Sequence, residues 1–186
     1  MLEFTVQSAV NMLGGLNNWL DKAKEQLGAD EAEALLAARL APDMFPLTTQ
    51  IRFACGQAIE VVYRLQGRDL PPLSGEILAE ARAGGEQAGT LAVAQQRIKQ
   101  TIAQIETALG EAPCIEESSM IAHSLPMGLT FDLNAEQFLR DWSLPQLYFH
   151  VSIAYAILRA NGVNIGKADY IAHMFAYLRQ GEAAGA

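Results

Sequence analysis

Residues 144–170 read LPQLYFHVSIAYAILRANGVNIGKADY, and this segment decides the fold class of the chain. Pro145 suits the first position of a helix, where its missing N–H would have no intrahelical partner. Gly162 suits the left-handed residue that follows the end of a helix. Between them most side chains are apolar or aromatic, and a helix apolar on most sides is usually enclosed by other elements. The pattern predicts a buried helix with one histidine, His150, beside its first apolar stripe.

Three other segments also have apolar side chains at helical spacing. They are residues 5–27, 46–66 and 90–109, and the last has the strictest three-four spacing. A long connection over residues 71–89, with one or two helical turns, joins the second of these helices to the third. A crossover of this length allows the two helices that it joins to lie parallel. The sequence therefore predicts an all-α four-helix bundle with a long crossover.

Two smaller features extend the bundle. Residues 129–133 alternate apolar and polar side chains, which predicts a strand, and residues 120–125 are the expected partner strand of a hairpin. Residues 171–178 have apolar side chains at helical spacing and predict an extra, amphipathic C-terminal helix. The hairpin and the C-terminal helix are both small additions to the bundle, so we expect one domain over residues 1–186.

Composition limits the classes of function. The chain has 186 residues, of which 51% are hydrophobic, enough for one sizeable core. The formal net charge of −8 argues against nucleic-acid or anionic-membrane partners, because phosphate binding needs a basic surface. No apolar run is long enough for a membrane span, and the N-terminus does not read as a signal peptide. Two cysteines far apart in sequence agree with a reducing, cytoplasmic location.

Two long motifs resemble those of a known family. LPQLYFHVSIAYAILRANGV is followed by GKADY, and LAPDMFPLTTQIRFAC lies earlier, where the second long helix begins. Their order and the helix spacing over residues 1–170 resemble the family numbered nineteen ninety-three among domains of unknown function. That family is similar to the DinB/YfiT-like superfamily of four-helix bundles. The resemblance implies a DinB/YfiT-like bundle with a small β-hairpin insertion and an extra C-terminal helix.

The resemblance does not extend to a metal site. Many members of that superfamily bind a divalent metal through three histidines, one from the second helix and two, four residues apart, from the fourth. In this chain the second long helix has no histidine, and Ala154 stands four residues after His150. We therefore expect no metal and no other cofactor.

Four side chains are candidates for a ligand pocket. His150 in an apolar core is a metal ligand, a general base or a hydrogen-bonded structural group, and Tyr155 shares its helix face only in part. Asp43 is either the cap of the second long helix or a carboxylate near His150, if the starts of the two helices meet. Gln50 either contacts a ligand or forms a hydrogen bond across helices, and we favour the second role.

Several other polar residues have simpler interpretations. His123 and His173 lie in segments that the superfamily's histidines do not occupy, and we interpret both as structural or exposed. Glu60 is spaced to pair with Arg64 on the outside of its helix. Cys55 is expected to be inert, because thiol reactivity needs a lowered pKa and exposure.

Two hypotheses about function follow. The first is a small-ligand-binding or vestigial bundle, without an intact three-histidine metal site. The alternative is a metal- or thiol-dependent transferase or hydrolase that uses His150. A homodimer is expected with the first, built on a face of a bundle helix or on residues 171–178. The apolar stripe of residues 171–178 must be covered by something, either a second copy of the chain or the bundle of its own chain.

Overall fold

The four long helices and the hairpin form where the sequence pattern predicts them, and the connection over residues 71–89 holds a helix of 12 residues, longer than the one or two turns expected. The computed structural model describes residues 1–179; residues 180–186, the end of the predicted domain, lie outside the described residues. The strands are β1 (Met120–Ser124) and β2 (Thr130–Asn134). The α-helices are α1 (Leu2–Leu27), α2 (Ala29–Ala34), α3 (Leu47–Leu65), α4 (Pro72–Ala83), α5 (Leu91–Glu111), α6 (Ala135–Gln137), α7 (Leu144–Ala160) and α8 (Lys167–Tyr170).

The four long helices α1, α3, α5 and α7 make the bundle, and α3 packs against each of the others and against α4. Fourteen of the 19 residues of α3 are buried, so its polar side chains must find partners inside the protein. The predicted all-α bundle is confirmed. No helix within residues 1–179 combines the length and the apolar character needed to cross a membrane.

The crossover brings α3 and α5 side by side in the same direction. At one end, Thr48 Oγ1 at the start of α3 donates a hydrogen bond to the Ala88 carbonyl, just before α5, at 2.7 Å. At the other end, Gln66 Nε2 donates to the carbonyls of Ala108 and Ala112 at 2.6 and 2.8 Å. The start of α3 therefore lies near the start of α5, and the two ends also lie close together. This is the parallel arrangement that the connection length allows.

The hairpin is antiparallel, and His123 lies opposite Phe131 in its register. Ile121 and His123 are the buried residues of β1, because alternate side chains of a strand face the same way. After β2, the side chain of Asn134 accepts from the Gln137 backbone at 2.8 Å and starts α6 with a capping box. One turn of π-helix, Phe138–Ser143, then leads into α7.

Two local predictions are wrong. Asp43 does not cap α3: Pro46 holds the N-cap position, no side chain caps the helix, and Asp43 is exposed in the preceding turn. Residues 171–178 do not form an amphipathic α-helix. The helix α8 ends at Tyr170, and a 3₁₀-helix follows over Ala172–Tyr177. A 3₁₀-helix has three residues per turn, so side chains at three-four spacing no longer share one face.

The segment after α7 is attached to α1. Trp19 Nε1 donates a hydrogen bond to the Asp169 carbonyl at 3.2 Å, and the Trp19 ring stacks on Tyr170 at 5.5 Å between ring centroids. Lys22 Nζ forms an ion pair with Asp169 Oδ1 at 2.5 Å. Lys22 and a hydrogen bond from Gly166 N–H hold the pKa of Asp169 below its ordinary value. Asp169 therefore braces the loop after α7 and is not assigned to a ligand site.

Candidate functional site

His150 and Gln50 meet inside the bundle. His150 Nδ1 lies 2.8 Å from Gln50 Oε1, and the side chains belong to α7 and α3. Only 8% of His150 and 1% of Gln50 is exposed to solvent. His150 is therefore buried and lies close to the start of α3, the second long helix. Gln50 therefore forms the hydrogen bond across helices that we favoured over a contact with a ligand.

The pair determines which nitrogen of His150 carries the proton. Gln50 Nε2 donates to the Phe45 carbonyl at 3.2 Å, and a carbonyl only accepts, so the amide orientation is assigned by this bond. Gln50 Oε1 is then the atom facing His150, and Nδ1 must donate to it. Burial lowers the pKa of His150 to about 4, so the ring is neutral at pH 7. Its Nε2 is therefore an acceptor, and it makes no hydrogen bond within the described residues.

His150 borders an open cavity of about 620 Å³, hereafter the His150 cavity. Its volume is within the range of small-molecule sites, about 300–1,000 Å³. Aromatic contacts form one wall, because the Phe53 ring lies 5.1 Å from the His150 ring and 5.4 Å from Phe45. The cavity is lined by Phe45, Phe53, Gln57, Glu60, Leu78, Arg82, His123, Ser124, Leu125, Pro126, Trp142, Gln146 and His150.

The hairpin brings a second histidine to the same cavity. His123 is 5% exposed, and its ring packs on Trp142 with 4.3 Å between ring centroids. Its Nδ1 lies 3.6 Å from Glu60 Oε1, which is too long for a good hydrogen bond. Burial lowers the pKa of His123, and the charge of Arg64 lowers it further. Burial raises the pKa of Glu60, while Arg64 opposes that shift.

Three buried polar atoms at this cavity have no hydrogen-bond partner. They are Gln57 Oε1, His123 Nε2 and Trp142 Nε1, half of the six such side-chain atoms in the described residues. Leaving a buried donor or acceptor unpaired costs about 1–3 kcal/mol. Trp142 belongs to the π-helical turn, an element frequently found at functional sites. These three unpaired atoms therefore all belong to residues that line one cavity.

The structure separates the four predicted pocket residues. Gln50 and His150 are bonded to each other, and of these four only His150 lines the cavity. Asp43 is exposed and outside it. Tyr155 lies on the other side of α7, edge to face with Trp19 at 5.4 Å, and its hydroxyl donates to the Ile165 carbonyl at 3.5 Å.

Sequence reasoning missed His123, Glu60 and Trp142. Glu60 was assigned to the outside of α3, but its side chain is only 17% exposed and faces His123. A signal for His123 and for Glu60 was present in the sequence. His123 shares a strand face with the apolar Ile121, and Glu60 shares a helix face with Phe53 and Gln57 at three-four spacing. Cys55 is buried as predicted, and burial raises the pKa of its thiol to about 12, which keeps it protonated.

Fold and cavity together define a DinB-like helical bundle whose pocket lies between α3, the hairpin and the start of α7. The chain belongs to the family described as Domain of unknown function (DUF1993), whose model matches residues 1–171. Among solved structures it is similar to a DinB family member protein from Shewanella denitrificans, with 29% sequence identity and a TM-score of 0.70. That match spans 100% of this chain and 99% of the other. No curated protein matches the chain.

The residues of this chain do not fit the three-histidine metal site of the superfamily. Gln50 is the α3 residue beside His150, and its amide oxygen is occupied by the His150 Nδ1 proton. Ala154, one turn after His150, is fully buried and offers no ligand atom. Within residues 1–179, no group of three or more His, Cys, Asp or Glu side chains is arranged to hold a metal ion. A metal needs three or four correctly placed ligands.

Proposed function

We propose that this protein binds a small organic molecule in the His150 cavity. The single observation that carries the proposal is that three unpaired buried atoms, from Gln57, His123 and Trp142, belong to residues that line one cavity. Apolar walls with a few convergent polar groups are typical of small-molecule sites. A ligand that pairs with these atoms removes a cost of about 1–3 kcal/mol for each.

A fragment screen by NMR tests this proposal. We expect bound fragments to shift the indole N–H resonance of Trp142, since this residue lines the cavity and its N–H has no partner. Gln146→Trp places a bulky ring in the half-buried lining and should weaken binding at least tenfold. Gln96→Trp, on the exposed side of α5, is the matched control and should leave binding unchanged. A screen without cavity binders would support the vestigial bundle instead.

A transferase or hydrolase that uses His150 is the second candidate. One observation favours it: a neutral imidazole on a residue that lines the cavity, with Nδ1 held by Gln50, leaves the Nε2 lone pair free, as a general base requires. Its pKa of about 4 makes it a weak base, and the ligand-binding function is preferred for that reason. Incubation of the protein with each cavity-binding fragment, followed by mass spectrometry, distinguishes the two. Turnover that is lost in His150→Ala would establish the enzyme.

We also propose that the chain forms a homodimer through its C-terminal segment. Ile171, Met174, Phe175 and Leu178 are each between 37% and 51% exposed. Contiguous apolar surface on a monomer is unusual and marks interaction sites. Light scattering of the full chain and of a version ending at Tyr170 tests this. A dimer that becomes a monomer supports the proposal, two monomers refute it, and a dimer that survives truncation moves the interface elsewhere.

For the cellular location we propose the cytoplasm. Cys55 and Cys114 are both free thiols, which agrees with a reducing compartment. The net charge of −8 supports the absence of nucleic-acid and anionic-membrane partners. Fractionation of cells that express the tagged protein tests the location, and recovery in the membrane pellet would contradict it.

A further inference from the structure

The residues that line the His150 cavity offer unpaired hydrogen-bond acceptors. His150 Nε2 is an acceptor because Nδ1 donates to Gln50. His123 Nε2 also has no partner, and the 3.6 Å between its Nδ1 and Glu60 Oε1 is too long for a hydrogen bond that would fix the tautomer. Gln57 Oε1 is a second unpaired acceptor, and the indole N–H of Trp142 is an unpaired buried donor. A ligand that satisfies this set must be rich in N–H or O–H groups.

The charge of the cavity wall favours N–H donors that carry a positive charge. The Glu60 carboxylate lies in the lining, 17% exposed, and has no Lys or Arg ion-pair partner among the described residues. Arg64 influences Glu60 through its charge but does not line the cavity. Arg82 does line it, but that side chain is exposed, and water screens its charge. A partly buried carboxylate without a counter-ion attracts a cation far more strongly than an exposed one does.

We propose that the ligand of the His150 cavity is a small protonated amine on an apolar or aromatic body. The ammonium group donates to the Glu60 carboxylate and to His150 Nε2. The apolar body packs against Phe45 and Phe53, whose ring faces also attract cations. This inference rests on the proposed small-ligand function and adds the chemical class of the ligand.

A series of three probes that differ in one group tests the inference. The probes are 2-phenylethylamine, 2-phenylethanol and phenylacetate at pH 7.5, which present a cation, a neutral hydroxyl and an anion on the same aromatic body. Binding is measured by titration of the Trp142 indole resonance. We expect the amine to bind at least tenfold more tightly than the alcohol, and phenylacetate to bind most weakly.

Glu60→Gln removes the charge and keeps the shape of the side chain. In this variant we expect the preference for the amine over the alcohol to fall below threefold, with alcohol binding unchanged. Glu106→Gln, on the exposed side of α5 and without a side-chain partner in residues 1–179, is the matched control and should keep the full preference. Circular dichroism establishes that both variants are folded. If Glu60→Gln does not fold, the order of the three probes on the unmodified protein still decides.

The outcomes separate this inference from the function on which it rests. An alcohol or carboxylate that binds as tightly as the amine overturns the amine proposal, as does a preference that persists in Glu60→Gln. Fragments without an amino group that bind while 2-phenylethylamine does not also overturn it, but leave the small-ligand function standing. If no fragment and no probe enters the cavity, both fall.

Discussion

Replacement of Gln50 by leucine is expected to destabilise the protein and to change the protonation of His150. Leucine has a similar size but can neither accept from His150 Nδ1 nor donate to the Phe45 carbonyl. Both side chains of the pair are more than nine-tenths buried, so water cannot replace the lost bond freely. An unsatisfied buried group costs about 1–3 kcal/mol. In a domain of this size that corresponds to a fall in Tm of about 2–12 °C.

Two measurements follow this change. Urea unfolding gives the loss in free energy of unfolding, and Gln96→Leu on the exposed side of α5 serves as the control, expected within about 0.5 kcal/mol of the unmodified protein. Long-range ¹H–¹⁵N NMR of the imidazole gives the tautomer. We expect the proton on Nδ1 in the unmodified protein and a mixture, or the Nε2–H form, in Gln50→Leu.

Two results would refute this prediction. If Gln50→Leu unfolds at the same urea concentration as the Gln96→Leu control, the Gln50–His150 bond does not stabilise the fold. If the unmodified protein carries the proton of His150 on Nε2, the donor and acceptor assignment of the cavity is wrong. That second result would also remove the acceptor argument for an amine ligand.

Three further predictions address pH, packing and metal binding. Because the folded-state pKa of His150 is depressed to about 4, its contribution is present above pH 6.5 and lost as pH falls. The free energy of unfolding should drop by about 2 kcal/mol from pH 7.5 to 5 through this group, and a His150→Phe variant with the same slope would contradict this. Gly84→Ala should cost about 1–3 kcal/mol, since its Cβ would collide with the Thr49 hydroxyl, whereas Gly75→Ala meets nothing within 4 Å and should be neutral or stabilising. Calorimetric titration of zinc should show no sub-micromolar site, and such a site that disappears in His150→Ala would overturn the interpretation of the donor set.

The sequence predicted the bundle well because its signals are local. Apolar side chains at three-four spacing mark α1, α3, α5 and α7 wherever their partners lie, and a period of two marks the hairpin. The C-terminal segment shows the limit of this approach. Its apolar spacing favours an amphipathic α-helix, yet Ala172–Tyr177 form a 3₁₀-helix in which Met174, Phe175 and Tyr177 are exposed. Spacing alone does not show whether a helical surface has a core to pack against.

For the site, the sequence by itself determined that one histidine lies in an apolar helix and that Gln50 borders the stripe of another. It also determined the absence of a histidine from α3 and the presence of Ala154, which remove two ligands of the superfamily's metal site. Only the tertiary structure decided that His123 and Glu60 meet beside His150. These side chains come from a strand and two helices far apart in sequence, and the packing of the hairpin on α3 sets the distances between them. Packing depends on many side chains from several elements at once. No local pattern could therefore predict that His123, Glu60 and His150 would line one shared cavity.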